Sequence, residues 1–151
     1  MLFLSAQDVL AALDCEAAMA AVAEAVRYEP GQTTVETKAT EALAQGKGVC
    51  QDQAHLFIAA ARELGVPARY VSGYLTSAEG NDSHLASHAW AEILVDGLGW
   101  VSFDPANEQC ATDAYIRLAL GLDYGTASPI RGLRSGGGVE EMDVSVRIEE
   151  Q

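Results

Sequence analysis

Basic residues are scarce in this chain: nine Lys and Arg stand against 22 Asp and Glu, a formal charge of −13. Nucleic-acid recognition needs a basic face, so no nucleic-acid partner is expected. Long apolar runs are missing too. None approaches the ~18 residues a membrane helix needs, so no membrane partner is expected. The opening MLFLSAQDVL is too short and too soon acidic for a signal peptide. Cysteine is sparse, at Cys15, Cys50 and Cys110. An odd number at wide spacing provides no disulfide framework. No CxxC pair offers zinc ligands, so neither metal nor cofactor is implied. A reducing, cytoplasmic setting with a reactive free thiol fits this usage.

What is present is enough for a core. The 151 residues are 49% apolar and read as one domain over 1–151. The chain centres on GKGVCQDQAHLFIAAARELG, residues 46–65. Its glycine turn breaks any preceding helix. Ala54, Phe57, Ile58, Ala61 and Leu64 then recur at helical spacing, and Gly65 and Pro67 end the helix. Cys50 therefore heads a helix, where unpaired amides and the helix dipole favour a thiolate over a thiol.

Upstream, Ser5 to about Arg27 reads as one or two helices, and Thr33 to Ala44 as a short amphipathic helix. Downstream the pattern turns to strands. ARYVSGYL (68–75), HAWAEILV (88–95) and GWVSFD (99–104) are β-rich, and the last two are spaced as an antiparallel hairpin. TSAEGNDS (76–83) reads as a polar loop, Asp113 to Leu120 as a helix, and Pro129 to Gly138 as a loop. Val144, Val146 and Ile148 alternate as a final strand would. Helices first and strands after imply an α+β fold, with N-terminal helices packed on an antiparallel sheet.

Thiol catalysis needs a cysteine, an imidazole in reach of it, and a group that orients the imidazole. Cys50, His88 and Asp104 supply these types. A hairpin would bring His88 and Asp104 to the same end of the sheet, with Pro105 holding Asp104 out of the α region. The Cys50 backbone N–H would then serve as an oxyanion donor, with Tyr28 as a candidate second. The same three side chains also suit a metal in ligand type, but their wide separation in sequence disfavours that. Cys15 and Cys110 read as small buried side chains. His55 reads as a packing or hydrogen-bonding residue, His84 as solvated, and Asp52 as a hydrogen-bonding group near the helix start. Trp90 and Trp100 read as core or cleft wall, while Tyr70, Tyr74 and Tyr124 could line a substrate groove or pack in the core.

The segments GVCQDQAHLFIAAARELGVPARYVSGYL and SHAWAEILVDGLGWVSFDPAN resemble the bacterial transglutaminase-like family of cysteine proteases. Three of that family's motifs occur here in order, and the likeness runs from about Tyr28 to Gly132. It implies a papain-like core with its nucleophile at the N-terminus of the central helix. It assigns Cys50 as nucleophile, His88 as base and Asp104 as orienting carboxylate; Trp90, Tyr74 and Tyr124 are taken as the substrate-binding candidates. Leu122 and Gln53 stand where the family usually has arginine and an aromatic. An N-terminal β-rich domain often precedes this core, so the likeness also implies an excised core or a short member. The expected activity is hydrolysis of an amide or peptide bond through a thioester. The alternatives are acyl transfer to a lysine amine, as in a transglutaminase, and a binding module that keeps the fold.

Overall fold

A computed structural model describes residues 6–77, 84–132, 135–139, 141 and 145–146. Helix α1 spans Ala6–Ala25, a single helix where one or two were expected. Cys15, Met19 and Val22 are buried along it, and Val26 is buried just beyond its end. Strand β1 (Arg27–Tyr28) runs parallel to β2 (Lys47–Gly48), with Tyr28 opposite Gly48. Between them α2 covers only Ala39–Gln45, not the longer helix expected from Thr33. The reason is local. The Thr37 hydroxyl accepts the Thr34 N–H at 2.9 Å, and the Thr34 hydroxyl accepts the Glu36 N–H at 3.3 Å. Such bonds compete with helix formation and turn the chain. Gly46 then caps α2 in the left-handed conformation, at φ 67°.

Helix α3 spans Cys50–Glu63. The Val49 N–H donates to Asp52 Oδ2 at 2.8 Å, and the Thr33 hydroxyl donates to the same oxygen at 2.6 Å. Asp52 thus caps the helix start, as its position implied. Ala54, Phe57, Ile58 and Ala61 are buried, and the helix packs mainly on strand β4. That contact forms the core: Tyr70, Ala91, Ile93 and Phe103 join the helix residues in one apolar cluster.

The sheet has five antiparallel strands, in the order β6-β5-β4-β3-β7. These are β3 (Ala68–Ser77), β4 (His84–Val95), β5 (Gly99–Asp104), β6 (Gln109–Cys110) and β7 (Tyr115–Gly121). The β4–β5 hairpin forms as expected, with Val95 opposite Gly99. β4 begins at His84, so His88 lies inside the strand and does not start it. β7 replaces the helix expected at Asp113 to Leu120. Leucine, alanine and arginine there favour a helix locally, but the segment pairs with the edge of β3, Leu75 opposite Tyr115. Tertiary pairing overrides a weak local preference.

Other departures are on the surface. Cys110 is exposed, not buried, because it lies on a two-residue edge strand. Trp100 is 41% exposed and carries the Arg69 guanidinium 4.0 Å above its ring, so it is neither core nor cleft wall. Arg69 and Arg117 meet buried Glu92 at 2.6 and 2.7 Å beside it. Of the expected final strand, Val144 and Ile148 lie outside the described residues, and Ser145 and Val146 are not in a strand. The loop expected at 76–83 also lies outside them from residue 78 onward; Thr76 and Ser77 belong to β3.

Gly73 is the tightest point of the sheet. A Cβ there would lie 2.0 Å from the Ile116 carbonyl oxygen and 2.6 Å from Trp90 Cη2. The first neighbour is backbone and cannot rotate away. Gly73→Ala is expected to destabilise the protein by about 3 kcal/mol, read as a lowered urea midpoint. An unchanged midpoint would contradict this packing.

Candidate active site

Alternation along the strands brings the site together. Ala89, Ala91 and Phe103 face the helix, so His88, Trp90 and Asp104 share the other parity. Ala91 pairs with Phe103, which sets Asp104 beside Trp90 and diagonal to His88. His88 Nε2 lies 2.6 Å from Asp104 Oδ2. Asp104 is wholly buried, and the His88 side chain is only 9% exposed. His88 and Cys50 line one cavity, and Cys50 is among the groups that raise the His88 pKa. With Nε2 committed to Asp104, Nδ1 is the ring nitrogen left for the sulfur. The order is therefore Cys50–His88–Asp104, across the start of α3, the interior of β4 and the end of β5.

Asp104 is held by more than His88. Its Oδ2 accepts the Tyr115 hydroxyl at 2.6 Å and Asn107 Nδ2 at 2.7 Å, and its Oδ1 accepts the Ala106 N–H at 3.0 Å. Burial alone would raise its pKa, but the bonds from His88, Tyr115 and Asn107 and the His88 charge bring it below the ordinary value. For His88, burial favours the neutral ring. The hydrogen bonds to Asp104 and Cys50, with the charges of both, outweigh it and push the pKa up to about 9. The imidazole thus remains an imidazolium at neutral pH.

Cys50 and His88 open onto a cavity of about 420 Å³ whose walls include Tyr28, Tyr70, Tyr74 and Tyr124. Tyr74 and Tyr124 are where a substrate-binding role would put them. Trp90 is not in that wall. It is buried behind the site, stacked 6.1 Å from His88 and edge-on to Tyr115 at 5.3 Å. Tyr28 reaches the cavity through the β1–β2 pairing. Burial, then the charges of Cys50 and Asp104, raises its phenol pKa, so it stays a donor.

His55 is a hydrogen-bonding residue, as its place on α3 implied. Its Nε2 accepts the Tyr124 N–H at 3.1 Å, and its ring lies 4.6 Å from that of Tyr70. Burial lowers its pKa, which suits a neutral acceptor. Gln53 is buried, and its Nε2 donates to the Val26 carbonyl at 2.7 Å, so it ties α3 to the end of α1. Leu122 is 68% exposed and lies outside the cavity wall. The His84 side chain lies outside the described residues. Tyr115, Asn107 and Gln109 were not singled out from sequence. The one available signal was that Asn107 follows the Asp-Pro pair closely.

A family model described as the Transglutaminase-like superfamily matches residues 8–105. The chain belongs to this superfamily. An uncharacterized protein of Mycobacterium leprae is 41% identical over 125 residues, covering 80% of this chain and 44% of its own length. One from Mycobacterium tuberculosis is 39% identical over 115 residues, covering 70% and 37%. Among solved structures, a candidate cysteine protease of Cytophaga hutchinsonii matches with a TM-score of 0.64 and 29% identity, over 84% of this chain and 47% of that one. The chain thus spans less than half the length of these relatives. It has the transglutaminase-like fold, α+β with helices on an antiparallel sheet, and the family level supports an enzyme. Among the described residues, no helix is long and apolar enough to cross a membrane.

Proposed function

We propose that this transglutaminase-like chain is a cysteine hydrolase that cleaves an amide or peptide bond through a Cys50 thioester. The observation that carries the reading is the hydrogen-bonded His88–Asp104 pair, with His88 and Cys50 opening onto one tyrosine-walled cavity. The Cys50 thiolate attacks the carbonyl carbon, and the oxygen takes up the negative charge. The Cys50 backbone N–H, in the first turn of α3, and the Tyr28 hydroxyl, which lines the same cavity, donate to that charge. The C–N bond breaks, and the His88 imidazolium gives its proton to the departing amine. Neutral His88 then takes a proton from water as the water attacks the thioester. The acid leaves and the thiolate returns. Tyr74 and Tyr124 line the substrate groove, and Trp90 backs His88. A peptide or protein amide is the substrate class, and a cytoplasmic setting keeps the sulfur reduced.

A primary amine can replace water in the second step, which would make the protein an acyltransferase. Two measurements test the reading together. Iodoacetamide should label Cys50 selectively, and the labelling rate should step near pH 9, where His88 loses its proton. Equal labelling of exposed Cys110 would count against it. Peptide digestion with and without an added amine then reads the fate of the acyl group. Free acid in both supports hydrolysis, and a stable amide adduct overturns it.

A further inference from the structure

We infer that Tyr115 is a positioning residue of this site: its phenol holds the Asp104 carboxylate that orients His88. The role rests on the Cys50–His88–Asp104 reading above and extends it to a residue of the edge strand β7. A carboxylate accepts and cannot donate, so Tyr115 is the donor in the 2.6 Å contact with Asp104 Oδ2. Gln109 Nε2 donates to the Tyr115 oxygen at 3.0 Å. That contact occupies the phenol's acceptor side and leaves its hydrogen for Asp104. The line therefore runs from Gln109 through Tyr115 to Asp104, and each bond polarises the next.

The sheet is shaped to admit this contact. Tyr115 lies opposite Leu75, on the same parity of β3 as Gly73. Gly73 has no side chain, and Trp90 Cη2 lies 2.6 Å from where its Cβ would be. The Tyr115 ring then seats edge-on against Trp90 at 5.3 Å and against His88 at 6.0 Å. Both contacts fix the ring while its hydroxyl reaches the carboxylate. Burial, followed by the Asp104 bond, pushes the Tyr115 pKa up to about 12, so it keeps its proton across the working range.

Titratable groups reach His88 from four elements: Cys50 of α3, Asp104 of β5, Tyr115 of β7 and, across the cavity, Tyr28 of β1. Of these, Tyr115 opposes the His88 proton, because it draws the Asp104 charge toward itself. Removing its hydroxyl leaves more of that charge for His88. The test is an NMR titration of the three histidine rings in the intact protein and in Tyr115→Phe, with His88→Gln to assign the resonance. The His88 midpoint should rise from about 9 by roughly half to one pH unit. Gln109→Ala leaves the ring in place and should shift the midpoint the same way by less, which keeps the test open if Tyr115→Phe folds poorly. A midpoint that is unchanged or lower, even alongside reduced thermal stability, overturns the proposal and leaves Tyr115 a packing residue. The titration needs no substrate, so its failure is separable from an inactive or silent Cys50.

Discussion

Cys50→Ala is expected to abolish turnover of any amide or peptide substrate the protein cleaves, by a factor on the order of 10⁴–10⁶. No other cysteine can substitute. Cys15 is in the helical core and Cys110 is on the far edge strand, outside the cavity wall. The fold should survive, since alanine is a strong helix former and Cys50 is only half-buried. A second result separates loss of the nucleophile from damage to the site. Cys50 contributes both a hydrogen bond and a charge that raise the His88 pKa, so the His88 midpoint should fall below about 9 in the variant. A variant keeping more than about a hundredth of the wild-type rate would refute the nucleophile assignment.

The candidate nucleophile, histidine and carboxylate could be picked out from sequence because each sits at a local signal. Cys50 follows a glycine turn and opens an apolar helix, and Asp104 precedes Pro105 at a strand end. A two-strand hairpin with a short turn fixes the offset between His88 and Asp104 in advance. Tyr115 was not legible. Its neighbours Ile116, Arg117, Leu118 and Ala119 have ordinary helix preferences, and only the open edge of β3 makes them a strand. Its contact with Asp104 spans 11 positions of sequence, and its ring meets Trp90 across the gap at Gly73. No periodicity within the segment encodes such a meeting. Thr33 to Lys38 failed for the opposite reason. Local hydroxyl bonds decided it, and an amphipathic pattern does not register them. The site residues that were readable are thus those whose placement depends on one helix start or one hairpin. Those that needed a third strand were not.

Asp104→Asn tests the carboxylate by removing one charge and almost no volume. Three donors converge on Oδ2, from His88, Tyr115 and Asn107, and the Ala106 N–H meets Oδ1. An asparagine has one acceptor oxygen. Turned toward His88, it points its NH₂ at the Ala106 N–H. Turned the other way, it points that NH₂ at three donors. Either orientation leaves buried donors facing each other, at a cost of about 1–3 kcal/mol. Turnover should fall by a factor on the order of 10³–10⁴, because the neutral side chain neither sets the His88 tautomer nor stabilises the imidazolium. The pH dependence of stability should change with it. His88 is raised above its ordinary 6.5, so in the wild type its contribution is complete below that pH and fades as pH climbs through about 9. Asp104 is depressed below 3.8, so its contribution is complete above that pH and fades as pH drops through the lowered value. Both are in full force between about 4 and 6.5. Urea midpoints of wild type and variant should therefore differ most in that window, and the difference should narrow toward pH 9 and at strongly acid pH without closing, because the facing donors remain. A constant difference from pH 3 to 10 would mean that packing, not the ion pair, carries the effect of Asp104.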